Sequence, residues 1–287
     1  MQKIGELAAE GISVEELEAA KAKFEAAGAE CKLVDLASYA PKDQVVDPAA
    51  VLIIRDGVKL LLKDDDAANK LFQELHPLDW DKKKYMDYFK NKSNGGVVNA
   101  RARHNLCFAD EAQEPDYENK KGRIIPWSDV PLTAKVRTVL PEYLGVKAND
   151  LLAEGNHYYN KGAGIRWHGD RERRKVIAVR LGESMPLDYH WWHDGKPIGT
   201  RAELKLNHGD VYVMSAKAVG TDCRTKKIPT LRHAAGAPKY RVLKDDFIDD
   251  DSGDDDADAE KAGTPAIAAK GRNSRSKTRY GTRKKRV

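Results

Sequence analysis

A mainly β fold with a few flanking helices is what the pattern of this chain predicts, and three observations carry the prediction. Short apolar segments separated by turns recur from residue 151 onward: LLAEGNHYY, KVIAVRLG, LDYHWW, RAELKL, DVYVMS, TLRHAA and KYRVLK. Many short strands at such intervals indicate a β-sandwich or barrel. Helical periodicity is confined to a few stretches, chiefly 14–27, 67–75 and 132–140. Finally, strands and helices do not alternate regularly and no glycine-rich phosphate loop occurs, which excludes a dinucleotide-binding α/β fold.

The elements follow in order. Ser13-Val14-Glu15-Glu16 reads as a capping box, with Ile12 and Leu17 as its hydrophobic staple, and Gly28 as the stop. Residues 41–48, PKDQVVDP, read as a linker. In VLIIRDGVKLLL the Asp56-Gly57 pair between apolar runs predicts a β-hairpin. Ala67, Leu71, Phe72 and Leu75 then fall at helical spacing, as do Leu132, Val136, Val139 and Leu140 after Ile124-Ile125-Pro126-Trp127. Between these helices, 83–126 is polar and turn-rich.

Composition narrows the class. The chain of 287 residues is 41% hydrophobic and 33% charged, and has length enough for a sizeable core. No apolar run approaches the ~20 residues a membrane span needs, and the start of the chain has no secretory pattern. Cys31, Cys107 and Cys223 are far apart, which argues against a disulfide scaffold or zinc module and for a reducing intracellular compartment. Residues 245–260 hold nine Asp and one Glu without a base, and 261–287 hold ten Lys and Arg without an acid. These blocks cancel, so residues 1–244 carry the net +5 themselves. Blocks so pure predict a disordered tail. A basic body with a basic tail fits an anionic partner such as DNA or RNA, and the closing RKKR fits nuclear entry in a eukaryote and a cytoplasmic protein otherwise. A monomer with no membrane contact is expected.

The chemistry concentrates in NHYYNKGAGIRWHGD, residues 156–170. His168-Gly169-Asp170 on extended backbone puts an imidazole and a carboxylate on one side, two parts of a two-histidine, one-carboxylate iron site. A third ligand must come from later in the chain. His208 sits in a turn, His190 and His193 alternate about a strand, and His233 lies in TLRHAAG, eight residues before Arg241. In VVNARARHNLCFAD, Arg101, Arg103, His104 and Phe108 mix cations with aromatics, either as a nucleic-acid surface or as an ordinary half-exposed strand.

Several landmarks recur together over 50–244. They are IIPW (124–127), Asn156-x-Tyr158, GAGIRWHGD (162–170), AVRLG (178–182), LNHGDVYVM (206–214) and the distal His233. In this order and spacing the chain resembles the AlkB-like branch of the Fe(II)/2-oxoglutarate-dependent dioxygenases. The resemblance implies a double-stranded β-helix (jelly-roll) core at 49–244, after a helical extension and linker at 1–48 and before a tail at 245–287. It implies Fe(II) held by His168, Asp170 and His233, 2-oxoglutarate held by Asn156, Tyr158 and Arg241, and O2 as oxidant. Oxidative demethylation of an alkylated base in DNA or RNA is the implied reaction, with Arg101, His104 and Phe108 as substrate contacts. The same chemistry on a 5-methylpyrimidine or a protein side chain is the alternative, and a non-catalytic binding module a third. The chain departs from the family in lacking the closing R-x-N-x-T-x-R, so Lys239 or Lys244 could replace Arg241. It also carries an insert, AVGTDCRTKK, at 218–227.

Overall fold

The computed structural model describes residues 6–86 and 95–243, and the predicted acidic and basic tail, with Lys244, lies outside them. The described chain is α+β and mainly β. One four-stranded antiparallel sheet has the order β1 (Cys31–Asp35), β2 (Ala50–Ile54), β12 (Val211–Met214), β9 (Val176–Val179). A second has the order β11 (Lys196–Leu206), β10 (Met185–His193), β13 (Thr230–Gly236), β8 (Gly164–His168). β5 (His104–Ala109) lies between β6 (Ile124–Pro126) and β7 (Ala153–His157), and β3 (Lys83–Met86) pairs with β4 (Gly96–Asn99). The helices are α1 (Val14–Ala26), α2 (Gly57–Leu62), α3 (Ala67–Leu75), α4 (Pro131–Leu144) and α5 (Ala216–Val219).

Period-two alternation assembles the core. On β2, Val51 and Ile53 meet Leu187, Tyr189, Trp191, Leu204 and Leu231 of the second sheet. Ala50, Leu52 and Ile54 turn the other way, onto Leu17 and Phe24 of α1, Val58 and Leu61 of α2, and Val136 and Leu140 of α4. The two sheets therefore face one another, with helices on the outer side of the first. Buried on both faces, β2 reads as an unbroken apolar run.

The capping box forms as expected: Glu16 N–H donates to Ser13 Oγ at 3.1 Å and Ser13 N–H to Glu16 Oε2 at 2.7 Å. The segment expected to be an extension is built into the fold, because β1 pairs along the whole of β2. The hairpin expected at Asp56-Gly57 does not form; α2 starts there instead. Asp56 takes the left-handed region at φ 46°, Val58 N–H donates to Gly209 O at 3.0 Å, and a Cβ on Gly57 would lie 2.7 Å from Val211. Val58, Leu61 and Leu62 then share a buried helical face, and that burial overrides the turn signal. KYRVLK, expected as a strand, begins with a single 3-10 turn at Pro238–Tyr240.

Candidate metal centre

β8 and β13 pair so that His168 stands directly opposite His233, and the rings lie 4.4 Å apart. Two residues beyond His168, Asp170 brings Oδ1 within 3.6 Å of His168 Nε2 and Oδ2 within 3.9 Å of His233 Nε2. One ligand atom from each lies within 4.8 Å of the others, the single such group among the described residues. Ligands at right angles on a metal about 2.1 Å away would be about 3 Å apart. The three therefore stand somewhat wider than a bound ion would draw them, and side-chain moves of up to about an ångström would close them on one.

The tautomers suit this. His168 Nδ1 lies 2.7 Å from Arg166 O; donation of its proton there leaves the Nε2 lone pair aimed at Asp170. Burial, with His168 beside it, pushes His233 down to about 3, so it is neutral. Burial opposes ionisation of Asp170, but the positive charge gathered around it, Arg173 and Arg103 included, holds the carboxyl below its ordinary value. A carboxylate beside two imidazoles is a donor set for a divalent transition metal.

The 218–227 insert braces these ligands. Asp170 N–H donates to Val219 O at 2.9 Å, and Thr221 Oγ1 to Arg173 O at 3.2 Å. A Cβ on Gly169 would stand 2.1 Å from Gly220 O and 2.7 Å from Cys223 Cβ, so the residue between the two ligands has room only for glycine.

Asn156 and Tyr158 extend from β7 towards the same centre. Asn156 Oδ1 accepts from Arg103 Nε at 2.7 Å and Asn105 Nδ2 at 2.8 Å, and its amide donates to Glu154 at 3.2 Å. Glu154 in turn accepts from Arg173 at 2.8 Å. Asn156 is thus a node in a polar chain reaching Asp170, and its oxygen is already doubly engaged. Tyr158 lies beside Arg180, whose guanidinium is 5.9 Å from the ring centre.

Arg241 belongs to the other side of the sheet. It donates to Asp188 at 2.7 Å and to Gly236 O at 3.0 Å. On β10, Leu187 and Tyr189 face the inner core, so Asp188 points outward. Its register partner Ala234 packs there with Trp167 and Trp192. Arg241 is therefore turned away from His233 and neutralised. Lys239 is exposed against Tyr240.

Arg180 is a half-buried cation on the inner side of the first sheet. On β9, Val176 faces the inner core while Ile177 and Val179 face the helices, so Arg180 points inward, beside Tyr212 of β12. Its Nε and one terminal nitrogen donate to Glu183 O at 3.2 and 2.9 Å. No carboxylate among the described residues pairs with it. Burial lowers its guanidinium from the ordinary value against the pull of Tyr158 and Tyr212, and arginine stays charged. Sequence reasoning missed it, although the alternation in KVIAVRLG puts Arg180 on the face of Val176 and Ala178.

The expected substrate trio does not gather at the triad. Phe108 is 2% exposed and packs with Leu106, Trp127 and Val130, so it cannot stack a base. His104 stands opposite His157 and stacks on Tyr159 at 4.3 Å, on the face of β5 away from Asn105 and Asn156. Arg101 is exposed, and its backbone oxygen accepts from the Tyr159 hydroxyl.

Among known proteins, "Uncharacterized protein R156" of Acanthamoeba polyphaga mimivirus is 40% identical over 244 residues, covering 84% of this chain and 91% of the viral protein. The chain belongs to that protein's family. No family model matches it.

Proposed function

We propose that this chain is an Fe(II)- and 2-oxoglutarate-dependent dioxygenase of AlkB-like type, on a double-stranded β-helix, that oxidises an alkylated base in DNA or RNA. The observation that carries the reading is a partly buried His-Asp-His group on one of two facing sheets, with Arg180 of the other sheet paired with no carboxylate among the described residues. Two facing four-stranded antiparallel sheets, with ligands at the end of β8 and within β13, support the jelly-roll architecture.

Each residue has a distinct task. His168, Asp170 and His233 would hold iron on one face, leaving the rest of its coordination sphere for a chelating keto acid and oxygen. When bound, iron and 2-oxoglutarate supply oxygen activation coupled to decarboxylation, with hydroxylation of a substrate C–H. Arg180 supplies the positive charge that a distal carboxylate requires, and Tyr158 flanks it. The Arg166 carbonyl holds the His168 tautomer, while Arg173 and Arg103 keep Asp170 ionised. Leu187, Trp191 and Leu231 keep water from the inner space. Exposed cations at Lys161, Arg171, Arg224, Lys226 and Lys227, on the segments bordering the ligands, suit a phosphate backbone.

Succinate and formaldehyde release from Fe(II)-loaded protein with 2-oxoglutarate and methylated oligonucleotides tests this. His168→Ala and Asp170→Ala should each abolish both products. Iron-dependent turnover surviving in either variant would refute the assignment of the triad.

A further inference from the structure

The inner face of β10 carries one polar group that the fold leaves unanswered. Tyr189 is 1% exposed, stands opposite His233 across β10 and β13 and opposite Ala202 across β10 and β11, and its ring is 5.6 Å from that of His233. Its hydroxyl is buried with no hydrogen-bond partner. Trp191, two residues along on the same face, shows the usual resolution, since its indole N–H donates to Leu36 O at 2.8 Å. A buried hydroxyl without a partner costs free energy that an apolar residue of the same shape would avoid. Phenylalanine would fill the ring site equally well, so the oxygen needs another account.

Its surroundings supply one. Tyr189 packs in the same cluster as Tyr212 of the first sheet, with the ring of His233 on its flank. One buried hydroxyl thus comes from the second sheet, in the cluster it shares with Tyr212 of the first and beside His233 of the triad.

We propose that Tyr189 is a binding residue whose hydroxyl donates a hydrogen bond to the dicarboxylate co-substrate, from the sheet opposite Arg180. The assignment rests on the reading of the site as a 2-oxoglutarate oxygenase, and its test separates the two. The full chain is titrated with Mn(II), a redox-inert stand-in for iron, and then with 2-oxoglutarate, following heat of binding and thermal unfolding. Tyr189→Phe should bind Mn(II) as the wild type does and unfold, without ligand, at the same temperature or higher. It should bind 2-oxoglutarate about tenfold or more weakly, as loss of a hydrogen bond to a charged group does. Tyr189→Leu, which also removes the ring, should lower the unfolding temperature and so mark the packing contribution separately. Unchanged 2-oxoglutarate affinity in Tyr189→Phe overturns the assignment, as does a parallel loss of Mn(II) affinity, which would mean the phenol supports His233 instead. A wild type that binds Mn(II) but no 2-oxoglutarate overturns the parent reading and this one with it.

Discussion

Single residues decide whether the triad can close. Gly169 separates His168, the last residue of β8, from Asp170, and its missing side chain is what lets Gly220 O approach. Gly169→Ala should cut metal affinity at least tenfold, as does disturbance of groups that orient metal ligands; equilibrium dialysis against Mn(II) measures it, and wild-type affinity would show that the loop yields. The two arginines illustrate what a sequence can and cannot convey at this scale. His168 and Asp170 are legible because two-residue spacing on a strand fixes a shared side. Arg241 misled because its distance along the chain from His233 says nothing of which sheet face it reaches. Asp188, 53 residues earlier, decides that.

At the scale of elements, the ligand loop depends on segments remote in sequence. The stretch before α1 runs across it: Ala216 N–H donates to Ile12 O at 2.7 Å, and Arg174 donates to Ala9 O at 2.8 Å. Lys147 adds a bond to Gly11 O at 2.8 Å. Removing residues 1–12 should therefore lower stability by about 2–3 kcal/mol, the burial of Ile12 alone being of that order, and weaken metal retention in step. Urea unfolding and metal content of the truncated chain report both; full retention of metal would mean that α5 and the 218–227 insert suffice. The capping box, helices α1, α3 and α4 and most strands of the second sheet could be read from periodicity. The second element of VLIIRDGVKLLL could not, because the choice between hairpin and helix is made by Val211 and Gly209 from the far end of the chain.

Across the whole molecule, His104, His157, His190 and His233 are each held below the ordinary histidine value, chiefly by burial. Their folded forms are neutral while the unfolded chain takes up protons near pH 6.5, so the stability they contribute is complete above that value and falls away as pH drops towards each lowered one. The metal-free protein should therefore show a lower urea midpoint at pH 5.5 than at pH 7.5, and an equal or higher midpoint at pH 5.5 would contradict the buried neutral histidines. The facing of two sheets was legible only as a count of short strands, since the pairing of β2 with β12 joins residues some 160 apart.

The central claim, an iron site with its co-substrate anchored from inside the sheets, is tested most directly by succinate formation in two arginine variants. Arg180→Gln should raise the KM for 2-oxoglutarate at least tenfold, as loss of a charge-assisted pair does, and Arg241→Gln should leave it near the wild-type value. The reverse order, or no iron-dependent succinate from the wild type with methylated nucleic acid present, would contradict the account.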